Sequence, residues 1–138
     1  MKAITYLKRI ETLDARINTL VEEKQHLLEI ATRTSISTDN ERVKSSGSPR
    51  KLETCVVNIV DIDSEISDCV KRKRDALKLI NDYCDKYCIE LLYKRYFVGK
   101  SWKTIAAQMK MSYKWVSGGL HSKALSQLQK GLDEVNAR

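Results

Sequence analysis

Apolar residues recur at Ala3, Tyr6, Ile10, Leu13, Ile17, Leu20, Leu27 and Ala31 in alternating steps of three and four, with Lys24 filling the remaining place. That spacing predicts an amphipathic helix, and Leu7, Val21 and Leu28 widen its stripe by one position. A stripe of three in seven is what a bundle-forming helix buries, whereas a strict two-in-seven seam marks a free-standing coiled coil. About 29 residues at ~1.5 Å each make a rod of roughly 45 Å. A second run follows through Leu52, Val56, Ile59, Asp63, Ile66, Val70, Lys73, Leu77, Ile80, Cys84 and Tyr87. Beside it, Cys55, Ile62, Cys69, Ala76 and Tyr83 repeat every seven residues. Two such helices predict a long antiparallel, coiled-coil-like hairpin over residues 1–84, packed within one chain or completed by a second. Lys24, Asp63 and Lys73 are seam interruptions of the kind that fix register and partner number, which favours a homo-oligomer through the hairpin.

Residues 32–50 break the period: eight are Ser or Thr, and Gly47 and Pro49 fall there. They read as a flexible loop. From Asp85 the texture changes to short elements, which sets a second domain at 85–138. Asp85 caps a helix reaching Phe97, with Cys88, Leu91, Leu92 and Tyr96 on its apolar face. Val98-Gly99-Lys100 forms a turn, Ser101 caps a helix from Trp102 to Met109, and Ser112 caps another running into Ala124, Leu125 and Leu128. The fold class is therefore all-α.

Composition sharpens this picture. Five glycines and one proline leave residues 1–46 and 50–98 free of both, which excludes a sandwich or barrel and any glycine-rich phosphate loop. Residues 1–88 carry 16 Lys/Arg against 15 Asp/Glu, and residues 89–138 carry nine against three. A near-neutral portion thus precedes a basic one, and a basic surface attracts polyanions, nucleic acid first. The N-terminus has charges inside every apolar stretch, so neither a signal peptide nor a membrane span is expected. Cys55, Cys69, Cys84 and Cys88 form no CxxC pair, which fits free thiols in a reducing cytoplasm.

Thr104–His121 is the most specific signal. A helix-turn-helix needs two short helices crossing over a small residue, a turn, and a capped second helix. Ile105 and Met109 share a face, Ala106 is the small residue, Met111 fills the turn, Ser112 caps and Val116 returns to the core. The second helix would offer Tyr113, Lys114, Ser117, Gly118 and His121 to base edges in double-stranded DNA. Lys100, Lys103, Lys110, Ser112 and Lys123 would meet phosphates.

Leu91-Leu92-x-x-Arg95-Tyr96, Gly99-Lys100-Ser101-Trp102-x-x-Ile105-Ala106, Ser112-x-x-x-Val116 and Ala124-Leu125-x-x-Leu128 resemble region 4 of bacterial sigma factors. With the heptad segments ahead of it, the chain looks like a sigma-like regulator of phages and prophages, similar to the ArpU and RinA late-gene group. The resemblance covers the last third by motif and the rest by helix pattern. It implies sequence-specific binding at phage promoters, with RNA polymerase as a further partner. Two departures stand out. Lys110 holds the turn position usually given to glycine, so a non-glycine must go left-handed or distort. Val116 to Ala124 spans eight steps against the family's seven. A π-bulge or a break at Gly118-Gly119 would absorb the extra residue and let Leu120 take the core position.

Several residues admit plainer readings. Trp102 reads as core. Trp115 lies outside the interior pattern, so it packs on the hairpin or forms a partner surface. Cys84 and Cys88 read as buried apolar thiols, and no metal or cofactor set emerges. Lys71-Arg72-Lys73-Arg74 points all round a helix and reads as a solvated, salt-bridged face. No nucleophile, base or paired carboxylate frames a catalytic site, so no enzyme is expected. Two alternatives remain beside the regulator: a phage terminase small subunit that marks DNA for packaging, and an interaction module that binds protein without touching DNA.

Overall fold

The computed structural model describes residues 1–40 and 48–137, with side chains described over 1–33 and 50–137. The described residues are helical with short turns and no strand, so the all-α class holds. Helices α1 (Ala3–Asn40) and α2 (Ser48–Tyr83) are long. Helix α3 (Lys86–Leu92) continues as a π-helical segment, Tyr93–Val98. After α4 (Trp102–Met109), a second π segment, Trp115–Leu120, runs into α5 (His121–Ala137). None of the described helices is long and apolar enough to cross a membrane.

Helix α1 continues to Asn40 and α2 starts at Ser48, so residues 32–40 and 48–50 are helical where the Ser/Thr content predicted a loop. Gly47 and the rest of 41–47 lie outside the described residues. Hydroxyl side chains weaken a helix without breaking it when they bond back to the preceding turn, as Thr32 Oγ1 does to the Leu28 carbonyl at 2.8 Å. Pro49 sits in the first turn of α2, where its missing N–H costs nothing.

The chain forms two compact units, Ala15–Val70 and Met1–Asp14 with Lys71–Arg138. This division differs from a boundary at residue 85. Ala3, Leu7, Ile80 and Cys84 share one core with Cys88, Leu91, Leu92 and the later helices, so the outer ends of α1 and α2 belong with the C-terminal elements.

In the Ala15–Val70 unit the two helices run antiparallel, with Arg16 paired to Glu65 at 2.7 Å and Lys24 to Asp63 at 2.9 Å. Leu20 is buried and Ile17, Lys24, Leu27 and Ala31 are half-buried, as the heptad spacing predicts. On α2 the seam falls one residue earlier than the main series. Cys55, Ile62 and Cys69 are buried, while Val56, Asp63 and Val70 are exposed. Both series repeat every seven residues; the small thiols fit the interior and the valines stay outside.

The other unit is built around α3 and α5. Asp85 caps α3, its carboxylate accepting from the Cys88 N–H at 3.0 Å. It also exchanges two 3.0 Å hydrogen bonds with Gln127 and pairs with Lys123 at 3.1 Å. These donors, the Cys88 amide foremost, hold the Asp85 carboxyl well below the usual carboxylate range. Gln129 ties the N-terminus to α5 by accepting from the Ala3 N–H at 2.7 Å and donating to the Met1 carbonyl at 3.1 Å. Asp14 pairs with Lys73, and Lys71, Arg72 and Arg74 are exposed, in line with a solvated basic run. Burial pushes the Cys84 and Cys88 thiols up to about 11 and about 12. Gly131 is buried inside α5 with the Tyr83 ring against it, so near that a Cβ would stand 2.6 Å from Tyr83 Cδ2.

Candidate nucleic-acid interface

Two capping side chains set this region. Ser101 Oγ accepts from the Thr104 N–H at 3.2 Å and starts α4, and Ser112 Oγ accepts from the Trp115 N–H at 3.2 Å and starts the next helix. Between them the chain turns at Lys110, whose φ of 58° is the left-handed value expected there. The Met111 N–H bonds the Ala106 carbonyl at 3.0 Å and the Lys110 N–H bonds Ala107 at 3.3 Å. That pair of bonds closes a helix end with a Schellman turn, which usually carries glycine.

Ile105 and Ala106 on α4 and Val116, Leu120, Ala124 and Leu128 on the following helix are all buried, with Met109 and Met111 partly so. The eight-step interval is absorbed as the sequence allowed. The π segment spans the glycine pair, Leu120 is 3% exposed in the core position, and Gly119 faces outward. A π turn spends one extra residue on the same helical advance, so the buried stripe continues without a gap.

Four of the five base-facing candidates come together. Tyr113, Lys114 and Gly118 are exposed, and half-buried Ser117 bonds the Tyr113 carbonyl at 2.9 Å, on one contiguous face at the start of the helix. His121 does not join them. Its Nε2 is 2.9 Å from the Tyr96 hydroxyl, and its ring meets Trp102 edge-on at 4.8 Å. The extra π residue turns this position inward. Burial, with Arg95 adding to it, holds the His121 imidazole below its ordinary value. Trp102 is half-buried in this cluster, and the Arg95 guanidinium lies 4.5 Å above its ring.

The phosphate-facing candidates divide as well. Lys103 and Lys110 are exposed, and their ammonium groups make no ion pair or hydrogen bond among the described residues. Ser112 is exposed, its oxygen occupied as a cap and its hydroxyl proton left to donate. Lys100 Nζ donates to Gln108 Oε1 at 2.9 Å, as does Lys94. Lys123 is exposed and pairs with Asp85 at 3.1 Å, so it is not a free cation in this structure.

Sequence reasoning missed two features. Between Glu90 and Asp133 there are eight Lys or Arg and no Asp or Glu, so no carboxylate within this stretch offsets the basic face. Trp115, 47% exposed, lays its ring on its own helix over Gly119, where a Cβ would overlap Cζ3 and Cε3 of the indole. The spacing of Trp115 and Gly119, four residues apart, was the signal for that contact. No protein-family model, curated protein sequence or solved structure matches the chain.

Proposed function

We propose that the C-terminal helices bind double-stranded DNA as a helix-turn-helix, with α4 as the supporting helix and the helix from Tyr113 as the reader. The observation that carries this reading is the exposed face of Tyr113, Lys114, Ser117 and Gly118, projected beyond a capped turn inside a stretch without acidic residues. Lys114 donates to base edges from the first turn of the helix, while Lys103 and Lys110 neutralise phosphates on either side. The likeness to sigma region 4 extends the proposal to transcription control in a phage or prophage, with RNA polymerase as a further partner.

Selection of duplexes from a random-sequence pool, followed by anisotropy titrations over a salt series, tests it. Affinity should fall steeply with salt. Lys103→Ala should weaken selected and random duplexes about equally, whereas Lys114→Ala should lose ~1–3 kcal/mol on the selected site alone. Absence of salt-dependent duplex binding would replace this reading with a protein-interaction module.

A further inference from the structure

The two edges of the Ala15–Val70 hairpin differ in chemistry. One carries the Arg16–Glu65 ion pair, from residues just before the seam positions Ile17 and Ile66. The other carries residues just after the seam: Val21 and Leu28 follow Leu20 and Leu27, and Val56, Asp63 and Val70 follow Cys55, Ile62 and Cys69. Val60 lies between Val56 and Asp63 at helical spacing, with Val57 one turn from it. Every exposed large apolar side chain described in this unit is thereby accounted for, up to 61% exposed at Val60. In an antiparallel pair the residues after the seam fall on one shared edge, so this is a second, unburied stripe carried on both helices.

We propose that a second copy of this chain covers this edge, the two hairpins closing a four-helix bundle. Two features select a copy over another partner. The stripe repeats by heptads on two antiparallel helices, and the partner that buries such a stripe presents two matching helices, which this hairpin itself does. Along α2, Val56 and Val70 also lie seven residues to either side of Asp63. A two-fold axis near Asp63 therefore sets valine against valine, as an isologous interface requires. Lys24, 2.9 Å from Asp63, balances the charge that the axis brings together. The association needs no DNA and stands apart from the DNA-binding proposal.

Light scattering and sedimentation on the full chain, without nucleic acid, test this. At tens of micromolar the mass should be twice 15.9 kDa, and the unfolding midpoint should rise with protein concentration. Val56→Lys combined with Val60→Lys should keep the helical circular dichroism and raise the dimer Kd by more than about a hundredfold. Asn58→Lys, on the opposite edge, should leave it unchanged. A 15.9 kDa species with a concentration-independent midpoint overturns the proposal. So does an assembly larger than a dimer, or a dimer that survives the double valine variant.

Discussion

Gly118, Gly119 and Gly131 sit in helical segments of one unit, and replacing each with alanine applies the same chemical change to three surroundings. At Gly118 a new Cβ meets nothing within 4 Å, so only backbone propensity acts and the variant should gain ~1 kcal/mol. At Gly119 the methyl displaces the outer edge of the Trp115 indole, which is half-exposed and free to swing away. Loss of that contact offsets the propensity gain, and the net change should stay within ~0.5 kcal/mol of zero. At Gly131 the Cβ would stand 2.6 Å from Tyr83 Cδ2 and 2.8 Å from Cγ, the root of a ring whose hydroxyl is bonded to Glu134. That ring has little room to retreat, and overpacking of ~1–3 kcal/mol exceeds the ~1 kcal/mol of propensity. Both tryptophans, Trp102 and Trp115, lie in this unit, so urea titrations followed by their fluorescence read it selectively. The order of stability should be Gly118→Ala above wild type, Gly119→Ala near it, and Gly131→Ala below it. Only Gly119→Ala should shift the native emission, since only there does an indole move. If Gly131→Ala is as stable as wild type, or Gly118→Ala is less stable, the packing argument fails.

Three further outcomes follow from the same geometry. Lys110→Gly should raise stability by ~0.5–1 kcal/mol, because glycine takes φ near 58° without the steric cost a lysine bears; calorimetry showing a loss would contradict the turn. Leu120→Ala should cost ~2–5 kcal/mol, and a loss under ~1 kcal/mol would show that the π segment does not carry the core there. The His121 imidazole titrates below its ordinary value in the folded chain, so the unfolded chain binds its proton first as pH falls. Stability should therefore decline on acidification below about pH 6.5, and His121→Gln should flatten that slope in melts taken from pH 7.5 to 5.5; an unchanged slope would refute the assignment.

Much of this was legible in the residues because local chemistry decides it. Ser101 and Ser112 cap helices wherever a helix follows them, Lys110 turns left-handed because the turn leaves no other conformation, and Leu120 is the nearest apolar side chain past a glycine that cannot fill the core. Features set by what packs from far along the chain were not legible. Two parallel seven-residue series on α2 look alike until α1 lies against one, which is why Cys55, Ile62 and Cys69 are inside and Val56 and Val70 are not. His121 turned inward because Tyr96 and Trp102, some 25 and 19 residues earlier, offer it a hydrogen bond and a ring edge. The ion pair of Lys123 with Asp85 joins residues 38 apart. The packing of the Tyr83 ring on Gly131 likewise joins residues far apart in sequence.

The π segment at Trp115–Leu120 also has a meaning in terms of descent. A π turn differs from an α turn by one inserted residue. Removing Gly118 or Gly119 would leave Val116, a leucine and Ala124 at ordinary α spacing with the same core. A single codon thus separates this helix from an uninterrupted one. Because the π turn absorbs the extra residue, Val116, Leu120 and Ala124 stay on one buried stripe and Tyr113 and Lys114 keep their facing relative to α5. Gain or loss of one glycine codon is thus a short genetic path that widens or narrows the outward surface at Gly118-Gly119 while the core on either side is kept.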